Sequence, residues 1–437
     1  MQFLSQIVFV AVLGFFSYLV YRRILRIKSN IQLGRAQEIS KDPNRWNNLF
    51  LLAFGQKKMF KNFIPAIFHF FIYVGFILIN LEVLEIILDG LLGTHRLFAP
   101  LLGGLYAPLI SFFEILAVLV LVACIVFLVR RNVLKVPRFK KPEMSGWPSL
   151  DGNLILVIEI VLMVAILSMN AADLVLQSRA VAHYPETGNF LVSGLFQANF
   201  SGMETSVLVL IERAAWWFHI VGILAFALYV TYSKHLHIFM AFPNTYYGRL
   251  EVKGKLLNMP EITNEVKMML GLPMEGEQQA PPEDMKFGAK DVNDLSWKNL
   301  MDAYSCTECG RCTAECPANI TGKLLSPRKI MMDTRDRMEE MGLNATKGKD
   351  WEDGKSLLGD YITKEEINAC TNCNACVEAC PVSINPLDII LQMRRYVAME
   401  ESGSPASWNA MFQNVETNFA PWKFSAQDRF NWAQDIK

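Results

Sequence analysis

The sequence predicts an all-α protein in two unlike halves: a membrane bundle of five transmembrane helices, then a mainly α-helical soluble domain. Three observations carry this expectation. The 437 residues are 52% hydrophobic and only 19% charged, too apolar for an ordinary soluble chain and far from disordered. Five apolar runs, each long enough at roughly 20 residues to cross a bilayer core, fill the first half. The 42 basic and 42 acidic side chains balance overall but not locally: residues 1–242 carry 20 and 13, residues 243–437 carry 22 and 29. That neutral balance gives a nucleic-acid partner no support.

The runs lie at about 3–21, 63–88, 108–129, 153–176 and 207–233. One such run reads equally well as a buried soluble helix; five in succession do not. The first could be taken for a cleavable signal peptide. It lacks a positive leading region and is followed by Arg22, Arg23, Arg26 and Lys28 instead of a small-residue cleavage site, so it reads as an uncleaved anchor. The loops set the orientation. Residues 22–61 hold ten Lys/Arg and 130–141 hold six, whereas 89–107 hold only Arg96 and 177–206 only Arg179. The positive-inside rule then puts the N-terminus outside and the second half in the cytoplasm, on the inner (cytoplasmic) membrane.

Residues 1–242 thus form the expected membrane domain. Residues 243–300 read as a linker with short helices, in which the acidic, Pro-rich Pro273–Asp284 is expected to be exposed and mobile. Residues 301–400 hold two near-copies of one pattern. Cys306, Cys309, Cys312 and Cys316 precede Pro317; Cys370, Cys373, Cys376 and Cys380 precede Pro381. Each is C-x2-C-x2-C-x3-C-P, the run that binds [4Fe–4S] clusters. Two-residue gaps let three thiolates reach one cube from a single loop, and the displaced fourth reaches the other cube. One cluster is therefore assigned to Cys306, Cys309, Cys312 and Cys380, the other to Cys370, Cys373, Cys376 and Cys316. Disulfides are disfavoured in a reducing cytoplasm, and zinc sites use paired C-x2-C arms. The ninth cysteine, Cys124, reads as a packed thiol in the third span. Between the two runs lie 53 residues, with an amphipathic helix expected over Pro327–Gly342. This is a dicluster ferredoxin-like domain on a mainly helical scaffold, as in the iron–sulfur subunits of quinone-linked reductases. Residues 401–437 form a tail.

Six histidines occur: His69 in the second span, His219 in the fifth, His235 and His237 at its inner end, and His95 and His183 in outer loops. At 100° per residue, His219 and His237 lie on one face of a continuous helix, while His235 is rotated roughly 160° away. His69 and His237 fall at comparable depth and pair naturally around a b-type haem, with His235 as the substitute ligand. The partner of His219 is expected about three turns outward from His69, where Ile79 stands. A second, outer haem is then absent, five-coordinate, or completed by His95. The bland alternative is that these histidines only pack. Acidic residues also enter the spans: Glu82, Glu85 and Asp89 at helical spacing, and Glu114 and Glu159 beyond. These acidic residues, Glu82 and Glu85 foremost, are candidates for proton transfer at a quinone site, or else helix ends meeting headgroups, or partners of Arg213.

With these residues placed, Glu212–Tyr247 (ERAAWWFHIVGILAFALYVTYSKHLHIFMAFPNTYY) resembles the gamma-type cytochrome b subunit of respiratory nitrate reductase and the membrane subunit of heterodisulfide reductase. That pattern has two His 18 apart on its fifth helix and two His ten apart on its second; His219, His237 and His69 match, and Ile79 departs from it. CTECGRCTAECP (306–317) and CTNCNACVEACP (370–381) resemble the dicluster module of heterodisulfide reductase-like iron–sulfur oxidoreductases, including membrane-bound electron-transfer-flavoprotein:quinone oxidoreductases. Together the resemblances span about residues 1–435. Fused members continue into a domain with Cys-Cys-Gly motifs that binds the catalytic iron–sulfur site. Asn418–Trp432 (NFAPWKFSAQDRFNW) resembles the join before it, and no Cys follows Cys380. The resemblance therefore implies that a separate Cys-Cys-Gly catalytic partner docks on the tail.

The expected protein is a membrane-bound electron-transfer subunit of a respiratory oxidoreductase. It would pass electrons between that partner and the quinone pool through two [4Fe–4S] clusters and haem b, with no catalytic residue of its own. The runner-up has electron-transfer flavoprotein as donor. A reading of another class is a membrane-anchored redox sensor without turnover, which needs no haem and reacts with no quinone; a third is a plain structural anchor.

Overall fold

The computed structural model describes residues 2–252, 254–273, 286–344, 353–423, 425, 427–434 and 436. Five of its helical segments are long and apolar enough to cross a membrane. They are α1 (Gln2–Ile31), α2 (Phe63–Leu92), α3 (Tyr106–Asn132), α4 (Trp147–Ser178) and α5 (Thr205–Val230). The second half is also helical: among the described residues two isolated bridges, Arg35–Ser296 and Leu358–Ile362, are the sole β pairing. Apart from Pro273, the expected linker stretch Pro273–Asp284 lies outside the described residues.

Helix α4 is the centre of the bundle, packed between α3 and α5, with half of its most apolar window buried in protein; for α1 that share is 6%. Helix α1 is held by Phe9, whose ring lies 5.6 and 6.0 Å from those of Trp216 and Trp217 on α5. Gly90 of α2 admits that ring, since a Cβ there would stand 2.6 Å from Phe9 Cζ. The apolar run of α1 ends near residue 21, but the helix continues to Ile31 and enters the second half. Ile27 shares a core with Leu295, Leu300 and Tyr304, Asn30 Nδ2 donates to the Tyr304 hydroxyl at 2.8 Å, and Arg23 pairs with Glu339.

The fifth helix departs from expectation. A continuous helix through Ala241 would align His219 with His237, yet α5 stops at Val230. A 3-10 turn at Lys234–Leu236 follows, and α6 (His237–Tyr246) starts afresh. The cause is tertiary. Asp151, near the start of α4, accepts from the Tyr229 and Ser233 hydroxyls and the Lys234 amide, which holds Ser233 in an extended conformation. The shared helical face of His219 and His237 is therefore lost.

In the second half, α7 (Trp297–Ser305) opens on a Ser296/Asn299 capping box. Short α8 (Arg311–Ala314) and α10 (Ala375–Ala379) follow the leading cysteines of each run. The amphipathic helix expected over 327–342 is α9 (Pro327–Asn344), and α11 (Pro386–Met399) packs beside it. Two fully buried guanidiniums anchor α9: Arg337 pairs with Asp291 at 2.7 Å and Asp353 at 2.5 Å, and Arg328 with Glu143 of the α3–α4 loop at 2.7 Å.

The end of the bundle away from the cysteine loops is polar inside. Arg96, the lone basic residue of its loop, is buried. It pairs with Asp173 at 2.9 Å and Glu82 at 3.5 Å and donates to Asn170 at 2.6 Å. The Tyr106 hydroxyl donates to Glu85 at 2.7 Å, and Asp89 receives Thr94, Arg96 and Leu97. Glu82, Glu85 and Asp89 are thus buried within this network, and Arg213 pairs instead with Glu212. Removing one member of a buried pair strands the others in a medium that cannot solvate them. Arg96→Leu is expected to cost ~3–5 kcal/mol, read as a lowered unfolding midpoint in detergent; an unshifted midpoint would show that the network carries no stability.

Candidate electron-transfer site

The two cysteine loops repeat one backbone path. The third and fifth residues of each motif are left-handed: Glu308 and Gly310 (φ 54° and 70°), then Asn372 and Asn374 (φ 57° and 60°). This coil turns amide N–H groups inward toward sulfur. The Glu308 amide donates to Cys306 Sγ at 3.4 Å, the Asn372 amide to Cys370 Sγ at 3.5 Å, and the Ile384 amide to Cys380 Sγ at 3.3 Å. Such donors stabilise ligating thiolates. The fourth cysteines cross over: Cys380 is an electrostatic neighbour of Cys309, and Cys316 of Cys370 and Cys376. All nine cysteines are free, and Cys124 is buried in α3. Burial pushes the Cys306 and Cys376 thiols up to about 12 and Cys380 to about 11. Thiolates in these surroundings need a cation, which the irons of a cluster supply.

The first loop abuts the membrane bundle. Cys309 and Arg311 line a cavity of about 420 Å³ that runs into it, together with His69, His235 and His237. Glu308 is buried in this wall, 2.5 Å from Lys234 and 2.8 Å from Arg335. Burial raises its carboxyl, but Arg335 and Lys234 more than offset that and hold it below the usual range. By contrast Cys373 of the second loop is exposed.

Three histidines are oriented alike. His69 Nδ1 lies 3.1 Å from Gln56 Oε1, His237 Nδ1 3.2 Å from the Lys234 carbonyl, and His219 Nδ1 3.1 Å from the Leu162 carbonyl. An oxygen acceptor places the proton on Nδ1 and leaves Nε2 as a free donor of its lone pair. His219 Nε2 is buried without any hydrogen-bond partner. His235 packs edge-on to His237, ring centroids 5.2 Å apart. These residues fit a haem iron: His69 with His237 or His235 across the larger cavity, the pairing expected from depth. His219 faces a separate cavity of about 70 Å³ whose opposite wall holds Gly75 and Ile79 and no second ligand. His95 is engaged elsewhere, 3.1 Å from Asp173 and stacked near His183 and Tyr184.

Of the acidic candidates, Glu82 and Glu85 are bound in the Arg96 network and line neither cavity, whereas Glu159 lines both. Sequence reasoning misses Gln56, Lys234 and Glu308, and the guanidiniums of Arg130, Arg131 and Arg138 that line the larger cavity. In the sequence those arginines register only as orientation signals.

A family model for the 4Fe-4S dicluster domain matches residues 305–384. The probable iron–sulfur-binding oxidoreductase FadF of Bacillus subtilis is 29% identical over 96% of this chain and 59% of its own length. EtfAB:quinone oxidoreductase of Syntrophomonas wolfei is 26% identical over 88% of this chain and 53% of its own. One component of the dihydromethanophenazine:CoB–CoM heterodisulfide reductase of Methanosarcina mazei is 26% identical over 34% of this chain and 37% of its own. The chain spans somewhat over half the length of the first two, and no solved structure matches.

Cys309→Ser and Cys373→Ser are each expected to strip one cluster, so that cluster iron falls from about eight per chain toward about four, while Cys124→Ser leaves it unchanged. Iron analysis with electron paramagnetic resonance checks this, and loss of all iron on replacing Cys124 would overturn the assignment. The duplicated loops, the matched domain and the relatives agree: residues 305–384 form a 4Fe-4S dicluster domain, joined to a bundle of membrane-type helices in a chain whose relatives are iron–sulfur oxidoreductases, a heterodisulfide reductase component among them.

Proposed function

We propose that this chain is the membrane electron-transfer unit of such an oxidoreductase, linking a soluble redox partner to the quinone pool. One observation supports it above the others: a cluster ligand, Cys309, and the histidines His69, His235 and His237 line one cavity. His69 with His237 or His235 would hold a b-type haem, which supplies a one-electron couple between the clusters and a two-electron quinone. His219 offers one further nitrogen, so an outer haem would be five-coordinate. Among the chain's own residues, Gln56 and Lys234 fix the ligand rings, and Arg130, Arg131 and Arg138 offer positive charge for the porphyrin carboxylates.

The exposed Cys373 marks the second loop as the face toward the partner, and the cavity-lining Cys309 marks the first as the face toward the membrane. The cluster domain then lies on the cytoplasmic side, where the basic loops 22–61 and 130–141 also lie. A Cys-Cys-Gly iron–sulfur protein is the partner that the heterodisulfide reductase resemblance implies. A second reading, electron-transfer flavoprotein as donor, is favoured by the relative EtfAB:quinone oxidoreductase, which matches 88% of this chain.

The test is optical. Purified chain is expected to show a reduced b-type spectrum that is lost in His69→Ala and in His237→Ala or His235→Ala, whichever supplies the second ligand, with iron–sulfur content retained. A spectrum unaltered by all three replacements, or a native chain without haem, sinks the haem-linked reading and leaves the anchored sensor.

A further inference from the structure

Glu159 differs from the other carboxylates of the spans. Glu82, Glu85, Asp89, Glu114, Asp173 and Glu212 each hold ion pairs or hydrogen bonds. Glu159 has neither among the described residues. At 1.5 Å per residue it stands ~9 Å into the apolar run that starts at residue 153 of α4. An ionisable group at that depth is costly and, without a partner, contributes nothing to stability.

Its surroundings point to a use. Glu159 lies on the seam between the two cavities, where Ile72 and Phe76 of α2 line both as well. The seam opens toward lipid, for Phe76, Ile77 and, on α6, Phe239 are exposed. In the other direction, Gly152, Ile155, Leu156 and Glu159 follow at i, i+3, i+4 and i+7, one stripe along the cavity wall. Gly152 leaves room for Arg131, because a Cβ there would stand 2.6 Å from its Nη2. Arg131, Lys234 and Glu308 line the same cavity, so the wall leads from polar groups beside the cluster domain to one carboxyl at an apolar, lipid-side slot.

We propose that Glu159 is the proton-exchanging residue of a quinone site at this seam, a proposal that rests on the quinone-linked reading above. A ligand that arrives through lipid, carries carbonyl oxygens and takes up protons with electrons matches such a slot; a water-soluble substrate does not. Reduction of one quinone to hydroquinone takes two electrons and two protons. The electrons come singly from the iron–sulfur side, which the soluble partner reduces. With each electron Glu159 gives one proton to a quinone oxygen and recovers it from water at the polar end of the cavity. Two O–H bonds form, the ring becomes aromatic, and Glu159 ends as it began. Hydroquinone oxidation is the same sequence reversed.

The test uses the full chain in membranes, reduced with dithionite and mixed rapidly with a short-chain naphthoquinone. Glu159→Gln is expected to keep its iron and cluster resonances but to be reoxidised about 100-fold more slowly, and Glu159→Asp to recover part of the rate. Reoxidation of E159Q at the wild-type rate removes Glu159 from the proton path. Should E159Q fail to assemble, the infrared difference spectrum on quinone reduction decides. It is expected to carry a carboxyl C=O band that moves in E159D, and a band unmoved in E159D overturns the proposal. A wild-type chain with intact clusters that no quinone reoxidises removes the parent reading, and this proposal with it.

Discussion

The buried ammonium of Lys234 joins the two halves of this protein at one point. It lies 3.9 Å from Asp151 of α4 and 2.5 Å from Glu308 in the first cysteine loop. Burial lowers its proton affinity, and the two carboxylates oppose that shift. Two charged partners in a largely dry interface fix a geometry more than they add stability, because desolvation consumes most of the attraction. Here the fixed geometry reaches both the first cysteine loop and the histidines. The same Asp151 interrupts α5, the interruption frees the Lys234 carbonyl to orient His237, and Glu308 sits between Cys306 and Cys309. One polar knot thereby positions a cysteine loop against a set of histidines.

Polar residues inside the bundle divide into those that are satisfied and those that are left over. Around Arg96, carboxylates, amide and hydroxyl close on one another, with Glu82 joined through its ion pair alone. Around the larger cavity the opposite holds. The Nε2 atoms of His69 and His237, the guanidiniums of Arg130 and Arg138 and the Glu159 carboxyl line it without a hydrogen bond among the described residues. Buried polar groups are normally paired, so a concentration of unpaired ones beside a cysteine loop marks where external groups belong. Sequence position does not separate the two sets, since Glu82 and Glu159 are each an acidic residue within an apolar run.

The parts legible in the sequence are those set by local pattern. Hydropathy marks five spans, and the cysteine spacing marks two loops whose backbones do prove alike, down to the left-handed third and fifth positions. The break after Val230 is illegible because Thr231–Ala241 is as compatible with helix as the residues before it. A carboxylate some 80 positions away decides the matter. Arg96 misleads in a similar way. By the positive-inside rule it is one charge in an outer loop, yet the loop folds back and buries it. Depth along ideal helices brings His69 and His237 to one level, and despite the break both line one cavity, which His235 lines as well. Periodicity points to Glu82 where the cavity holds Glu159, because partners, not spacing, distinguish the two.

The two cysteine loops also differ at the fifth motif position, where only the first meets the α3–α4 loop. Both need a left-handed residue at the fifth motif position, which glycine adopts freely and asparagine tolerates. The second loop uses Asn374, and its side chain bonds back to the Asn372 carbonyl. The first cannot, because a Cβ on Gly310 would collide with the Arg328 guanidinium. Arg328 is held there by the Arg138 carbonyl at 2.7 Å and by Glu143, both in the α3–α4 loop. The glycine of the first motif is thus set by a contact with the membrane half, whereas the asparagine of the second answers only to its own loop. An arginine that crosses the first loop to reach the α3–α4 connection ties that copy of the motif to the bundle.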